Sequence, residues 1–199
     1  MAPDHYFAGS PGAPDRRRDV TATIWGASRT FTTSSGVFAQ DGLDKATAVL
    51  LRHSEPPAGG RTLLDLGCGW GPIACALALA DPDASVHAVD TNERARELTA
   101  LNAERLGATV LVHAPESVPP GLVIDEIWSN PPIRIGKQAL HELLLEWLPR
   151  LAPDGVARMV VGKNLGADSL QRWLDEQGWP TLRATSDKTF RILETRRPR

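Results

Sequence analysis

Two short stretches hold the residues whose types and spacing can do chemistry. The first is LLDLGCGWGP, residues 63–72, with Asp65 ahead of Gly67, Gly69 and Gly71 and Cys68 between the first two glycines. The second is WSNPPIRIGK, residues 128–137, in which Asn130-Pro131-Pro132 is followed at once by Ile133, Arg134 and Lys137. Each stretch ends a run that reads as a strand, so each lies where a strand hands over to a loop.

A glycine turn after a strand lets backbone approach a ligand closely, and in an open α/β sheet ligands bind beyond the carboxyl ends of the strands. This turn is not a dinucleotide fingerprint, because the third glycine of G-x-G-x-x-G would fall at 72, which is Pro72. No Gly-Lys-Ser/Thr follows, which excludes a phosphate loop. A carboxylate at Asp65 repels a pyrophosphate and attracts a cation. The next strand-like run ends at Asp90, about twenty residues on, where an acid suits a pair of ribose hydroxyls. Taken singly, the glycines tighten a turn and Asp90 caps a helix. Taken together they suit an uncharged nucleoside with a cationic tail, which is S-adenosyl-L-methionine.

Asn130-Pro131-Pro132 poses a different question, since two prolines fit neither a helix interior nor a central strand. Prolines hold nearby carbonyls out of ordinary ladder pairing. The Asn130 side-chain oxygen and a backbone carbonyl, best that of Pro131, can then face the cleft as two rigid acceptors. Two such acceptors match the two N–H bonds of a planar amine and orient its nitrogen for methylation. They also stabilise the positive charge that develops there. No strong base is needed, and none stands in the motif.

The elements around these stretches form a regular series. VTATIW and RTFTTS alternate around Gly26 and suggest a hairpin. A helix is expected from about Leu43 to His53. From Thr62 onward, strands (TLLDLG, ASVHAVD, TVLVHA, GLVIDEIWS, GVARMVVG) alternate with helices, and the last two runs, TLRATS and KTFRILET, meet at Asp187 with no helix between them. This order predicts a doubly wound, mostly parallel seven-stranded sheet of Rossmann-like type, with an antiparallel C-terminal hairpin and an N-terminal β extension. The strand ending in Ser129 should lie beside the strand ending in Leu66. Residues 1–19, rich in proline, glycine and charge, are expected to be a flexible arm, and 20–199 one domain.

The bulk properties narrow the partners. A formal net charge of −2 gives no overall basic field, so a polyanion would have to be met locally. The candidates are Arg134, Lys137 and Lys163; Arg16-Arg17-Arg18 and Arg196-Arg197-Pro198-Arg199 read as solvated surface. Cys68 and Cys75 fit no zinc or disulfide spacing, and histidines 5, 53, 87, 113 and 141 show no metal pattern. Trp147, Trp173 and Trp179 read as core or rim. The first 18 residues lack the apolar run of a signal peptide, and IACALALA is too short to span a bilayer. A cytoplasmic protein without metal or membrane contact is therefore expected.

The quoted runs LLDLGCGWGPIACALA, VHAVDTNERA and IWSNPPIRIGK resemble the class I methyltransferases of the "methyltransferase small" domain family, which includes the ribosomal RNA guanine-N2 methyltransferases. SSGVFAQDGLDKAT resembles the family segment that closes over the methionine end of the cofactor, and HYF, GKNLGADSL and DKTFRILET are similar to its short, single-domain members. The resemblance implies that Asp65, Gly67, Cys68, Gly69 and Gly71 line the cofactor and that Asp90 holds the ribose, with Thr91 and Asn92 beside it. It implies that Phe38 packs near the methionine end and that Asn130, Pro131 and Pro132 present the acceptors, with Asn130 also touching the cofactor. Ile133 stands where many members have Phe or Tyr to stack on the base, with Arg134 and Lys137 placed for a neighbouring phosphate. Ala114-Pro115 replaces an Asp that meets adenine, which leaves that role to backbone around His113 and Ala114. The function so implied is N-methylation of a guanine N2 amine in ribosomal RNA. The alternatives are the same chemistry on a glutamine amide of a translation factor or on a small amine, or a non-catalytic binding module.

Overall fold

Short runs of β-branched and leucine residues, each closed by glycine, proline or aspartate, fold as strands, and the apolar-periodic segments between them fold as helices. A computed structural model of the chain describes residues 14–198. Its elements are β1 (Arg17–Ile24), β2 (Ala27–Ser34), α1 (Lys45–His53), β3 (Thr62–Leu66), α2 (Pro72–Ala80), β4 (Ser85–Val89), α3 (Glu93–Leu106) and β5 (Leu111–His113). They continue with β6 (Ile124–Ser129), α4 (Lys137–Trp147), β7 (Leu151–Gly162), α5 (Ala167–Glu176), β8 (Thr181–Ser186) and β9 (Phe190–Arg196).

The main sheet has seven strands in the order β5-β4-β3-β6-β7-β9-β8. β5, β4, β3, β6 and β7 run parallel, whereas β9 pairs antiparallel with both β7 and β8. The order reverses between β3 and β6, the switch point at which α/β sheets leave a crevice at the strand ends. The glycine turn follows β3 and Asn130-Pro131-Pro132 follows β6. The two chemical stretches are thus neighbours because their strands are.

Side chains alternate between the two faces of the sheet. Leu63, Trp128, Val160 and Ile192 enter one core with α1, α2, α3 and the hairpin. Leu64, Ile127, Val161 and Leu193 enter the other, with α4 and α5. α3 starts on Asn92, whose side chain accepts from the Arg94 and Ala95 amides, and ends on Gly107 in the left-handed conformation.

The β1–β2 hairpin is a separate two-stranded sheet held on α3 by side chains. Buried Asn102 accepts from the Thr32 amide at 2.7 Å and donates to the carbonyls of Thr32 and Trp70 at 2.8 Å each. Phe31 meets Trp70 edge-on at 5.1 Å, and Arg105 donates to Asp19 at 2.7 Å.

Three boundaries differ from those expected. α1 begins at Lys45 rather than Leu43, because Asp44 caps it. β7 begins at Leu151, four residues before the expected Gly155, with a register irregularity against β6. Arg17, Arg18 and Asp19, assigned to the arm, already pair in β1 with Ser34, Thr33 and Thr32. The rest of the arm through residue 13, with the HYF run, and Arg199 lie outside the described residues. Among the described residues no helix is long and apolar enough to cross a membrane.

Candidate active site

The glycine turn is held to the next strand by backbone. Gly67 and Cys68 both donate their amides to the Val89 carbonyl, at 2.8 and 3.0 Å. The Asp90 carboxylate continues this tie: one oxygen accepts from the Gly69 amide at 2.9 Å and the other from the Asn92 amide at 2.8 Å. Arg96 donates to the carbonyls of Asp90 and Thr91 at 2.8 and 2.9 Å. Burial pushes the Asp90 carboxyl above its ordinary range, against the pull of those amides.

The three glycines serve different ends. All have positive φ, of 81°, 59° and 86° for Gly67, Gly69 and Gly71. A Cβ on Gly67 or Gly69 would meet nothing within 4 Å, whereas one on Gly71 would meet Thr99 at 3.0–3.1 Å. Gly67 and Gly69 thus leave open space on a cavity they line, and Gly71 admits α3.

Asp65 is fully buried beneath this turn. One carboxylate oxygen accepts from the Ala74 amide at 2.9 Å; the other has no hydrogen-bond partner. Burial, with Asp90 nearby, pushes this carboxyl up to about 7. Asp65 does not line the cavity above it, so it makes no contact there. The thiol of Cys68, at the cavity, is pushed well up by burial.

On the other side, Ser129 donates to the Leu66 carbonyl at 2.7 Å, binding the ends of β6 and β3. Pro132, at φ −76° and ψ 72°, forms an inverse γ-turn. Its hydrogen bond runs from the Ile133 amide to the Pro131 carbonyl at 2.8 Å. One lone pair of that carbonyl is therefore taken. The Asn130 side-chain nitrogen donates to an Asp44 carboxylate oxygen at 2.9 Å and to the Thr47 hydroxyl at 3.1 Å. Both partners belong to the start of α1.

A cavity of about 610 Å³ opens between these two sides. Of the sequence-predicted residues it is lined by Phe38, Gly67, Cys68, Gly69, Asp90, Asn92, Asn130, Pro131, Pro132, Ile133 and Arg134. Asp65, Gly71, Thr91, His113, Ala114 and Lys137 do not line it. The carbonyls of His113 and Ala114 already accept, from the amides of Asp90 and Ser117 respectively. The His113 ring bonds His87 at 3.0 Å and stacks on it, and burial lowers the pKa of both.

Asp44, Thr47, Leu165 and Phe190 also line the cavity; the runs SSGVFAQDGLDKAT, GKNLGADSL and DKTFRILET hold them, but sequence reasoning gave none of the four a role in the site. An aspartate immediately before a helical run was a visible N-cap signal for Asp44. Residues 36–39 form part of the wall, anchored from below. Trp70 donates its ring N–H to the Ala39 carbonyl at 3.2 Å, and Asn92 donates to the Gly36 carbonyl at 3.0 Å.

The donors and spaces present suit S-adenosyl-L-methionine on two observations: open room at Gly67 and Gly69, and the unpartnered oxygen of buried Asp65 beneath a turn that Asp90 closes.

Comparisons with known proteins agree with this architecture. The family model described as "Methyltransferase small domain" matches residues 28–194. The protein YbxB of Bacillus subtilis (strain 168) is 33% identical over 177 residues, covering 87% of this chain and 88% of its own length. The ribosomal RNA small subunit methyltransferase C of Hahella chejuensis is 32% identical over 167 residues, covering 80% of this chain but 47% of its own length. Among solved structures, a T. Thermophilus 16S rRNA N2 G1207 methyltransferase in complex with AdoMet and guanosine superposes with a TM-score of 0.82 at 24% identity. That match covers 95% of this chain and 52% of the other. The chain thus spans about half the length of these two ribosomal RNA methyltransferases.

Proposed function

The chain belongs to the methyltransferase small domain family and is an S-adenosyl-L-methionine-dependent methyltransferase; from that premise we propose that its target is the exocyclic N2 amine of a guanine in ribosomal RNA. The observation that carries this reading is the place of Asn130. Its side chain lines the same cavity as Gly67, Gly69 and Asp90, and its amide nitrogen is held by α1. The amide oxygen is the atom left for a substrate.

S-adenosyl-L-methionine, when bound, supplies an electrophilic methyl group on a sulfonium. The chain's own residues do the rest. Gly67 and Gly69 admit a ligand against bare backbone. Asp90, with both oxygens fixed by amides, keeps lone pairs for ribose hydroxyls. Asn130 accepts one N–H of the amine, and the Pro131 carbonyl, with one lone pair left beside its γ-turn bond, accepts the other. Both dipoles then favour the positive charge that develops on the nitrogen. Ile133 offers an aliphatic face to a base, and Phe190, in the same cavity lining, an aromatic one.

The RNA part of the reading is supported by the likeness to ribosomal RNA methyltransferases and by the local charge. Arg134, Lys137 and Lys188 are exposed and Lys163 half-buried, and no ion pair among the described residues holds any of the four. Arg134 lies on the connection after β6, Lys137 at the first residue of α4, Lys163 after β7 and Lys188 between β8 and β9, and the Lys163 amide donates to the Thr189 carbonyl at 2.9 Å. A base paired inside a duplex does not reach such a cavity, so the target is unpaired or flipped out.

The test is to incubate the chain with methyl-labelled cofactor and ribosomal subunits from cells lacking its gene, then digest to nucleosides. Label in N2-methylguanosine is expected. Label only in protein would move the target to a side-chain amide.

A further inference from the structure

Asn130 is useful to an amine only if its amide points oxygen-first into the cavity. An asparagine amide has two ends of opposite character, a donor pair and an acceptor, and nothing in the side chain itself chooses between them. The choice has to come from whatever holds the other end.

Here that end is held at α1. Asp44 Oδ2 accepts from the amides of Ala46 and Thr47 at 2.8 and 3.2 Å, capping the helix. The same oxygen accepts from Asn130 Nδ2 at 2.9 Å, and Thr47 Oγ1 accepts from the same nitrogen at 3.1 Å. Both hydrogens of the Asn130 amide are therefore used. Turned over, the amide would set its oxygen against a carboxylate oxygen that has no hydrogen to give. Thr47 can donate or accept and does not discriminate by itself; Asp44 does.

We infer that Asp44, with Thr47, is a positioning pair that locks the Asn130 amide oxygen toward the cavity and so sets the site for substrates that bring an N–H. The inference rests on the reading of Asn130 as the acceptor. It adds a specificity device: a site with the amide reversed would present N–H groups and suit a carbonyl or an ether oxygen. The pair also joins two parts of the wall. Asp44 stands five residues after Ala39, where the chain leaves the wall segment that Trp70 and Asn92 hold at Ala39 and Gly36.

Asp44→Gly is the decisive variant. Glycine is tolerated at an N-cap, so α1 and the fold are kept, while the oxygen that both caps the helix and takes the Asn130 hydrogen is gone. Turnover should fall by about 10- to 100-fold, the scale of a displaced transition-state dipole, with KM for the cofactor unchanged. Thr47→Val should lower turnover less, and Thr47→Ser, which keeps the hydroxyl, should restore it. Unchanged turnover in Asp44→Gly overturns the inference.

A second measurement does not depend on activity. In side-chain amide NMR, with the Asn130 pair identified from its loss in Asn130→Asp, both Nδ2 protons should exchange slowly in the parent chain and more quickly in Asp44→Gly. Fast exchange in the parent chain refutes the clamp whatever the substrate. Slow exchange together with no methyl transfer to RNA refutes the RNA assignment and leaves the clamp standing.

Discussion

The two sides of the cavity are built in different ways. The side made by β3 and β4 is almost all main chain: left-handed glycines, two amides on the Val89 carbonyl, and an Asp90 carboxylate fastened by backbone at both oxygens. The side made by β6 depends on a side-chain amide whose partners are 86 and 83 residues away. A surface of backbone needs only the right torsions. A side-chain acceptor needs partners at its other end to choose its direction, and here Asp44 and Thr47 come from elsewhere in the chain. The first side is suited to hold a ligand that is always the same, and the second to select what is brought to it.

Asn130→Ala should break this division most visibly. Removing the acceptor should lower turnover by about 10²- to 10³-fold, the range for loss of one preorganised dipole. Affinity for S-adenosylhomocysteine by calorimetry should stay within about threefold, since the backbone side is untouched. A loss of cofactor affinity as large as the loss of turnover would show that the two sides do not divide the work. Gly71→Ala is the counterpart on the backbone side. It adds a left-handed strain of about 1–2 kcal/mol to a clash with Thr99, worth about 1–3 kcal/mol for overpacking. Gly67→Ala carries only the first of these, because no atom lies near its Cβ. Urea unfolding should therefore separate the two variants, with Gly71→Ala the less stable; equal midpoints would remove the distinction drawn between them.

The same contrast decides what the sequence could reveal. Gly67, Gly69 and Asp90 could be placed at the cavity because strand ends and torsions that neighbouring residues dictate put them there, whereas Asp65 and Gly71, expected beside them, lie outside its lining. The place of β6 beside β3 was legible because strands and helices follow the order of a doubly wound sheet, whereas the place of β9 between β7 and β8 was not. What holds Asn130 in the expected direction was not legible, since Asp44 meets it only after β6 has been laid beside β3 and α1 packed over the sheet. Pro131 shows the opposite error. Its carbonyl was expected to be free because prolines interrupt a ladder, yet the proline pair makes a γ-turn that uses one lone pair. Phe190 carried no local sign, because its place in the cavity depends on β9 entering between β7 and β8. The arm boundary failed for a similar reason: Arg17–Asp19 look like solvated charge until β2 is there to pair with them.

Asp65 gives the comparison a pH dependence. Its carboxyl, ordinarily at 3.8, stands at about 7 in the folded chain. The folded state then keeps a proton that the unfolded chain has lost. Stability from this group is fully present below about pH 4 and is lost as pH rises toward and through about 7. Asp65→Asn cannot ionise, so the fall in Tm between about pH 5 and about pH 8 should be shallower in the variant than in the parent without ligand. A cationic ligand favours the ionised carboxylate, so affinity for the cofactor should rise over the same range in the parent and less in the variant. An identical Tm slope in the two proteins would mean that Asp65 does not titrate there.

The smallest effects belong to the charged rim, and they test the selecting side alone. Each phosphate contact contributes about 0.7 to the slope of log affinity against log salt for a single strand. Arg134→Ala and Lys137→Ala should each lower that slope by about this amount and weaken binding to different RNA sequences alike. Arg183, already paired with Asp168 at 2.7 Å, is the comparison: Arg183→Ala should leave the slope where it was. A backbone-built pocket has no such dependence, because its amides release no counterions. If Arg134→Ala and Arg183→Ala shift the slope equally, the charge at the mouth is only part of a diffuse surface field. Selection of RNA would then rest on the acceptor and the cavity walls, without a phosphate anchor.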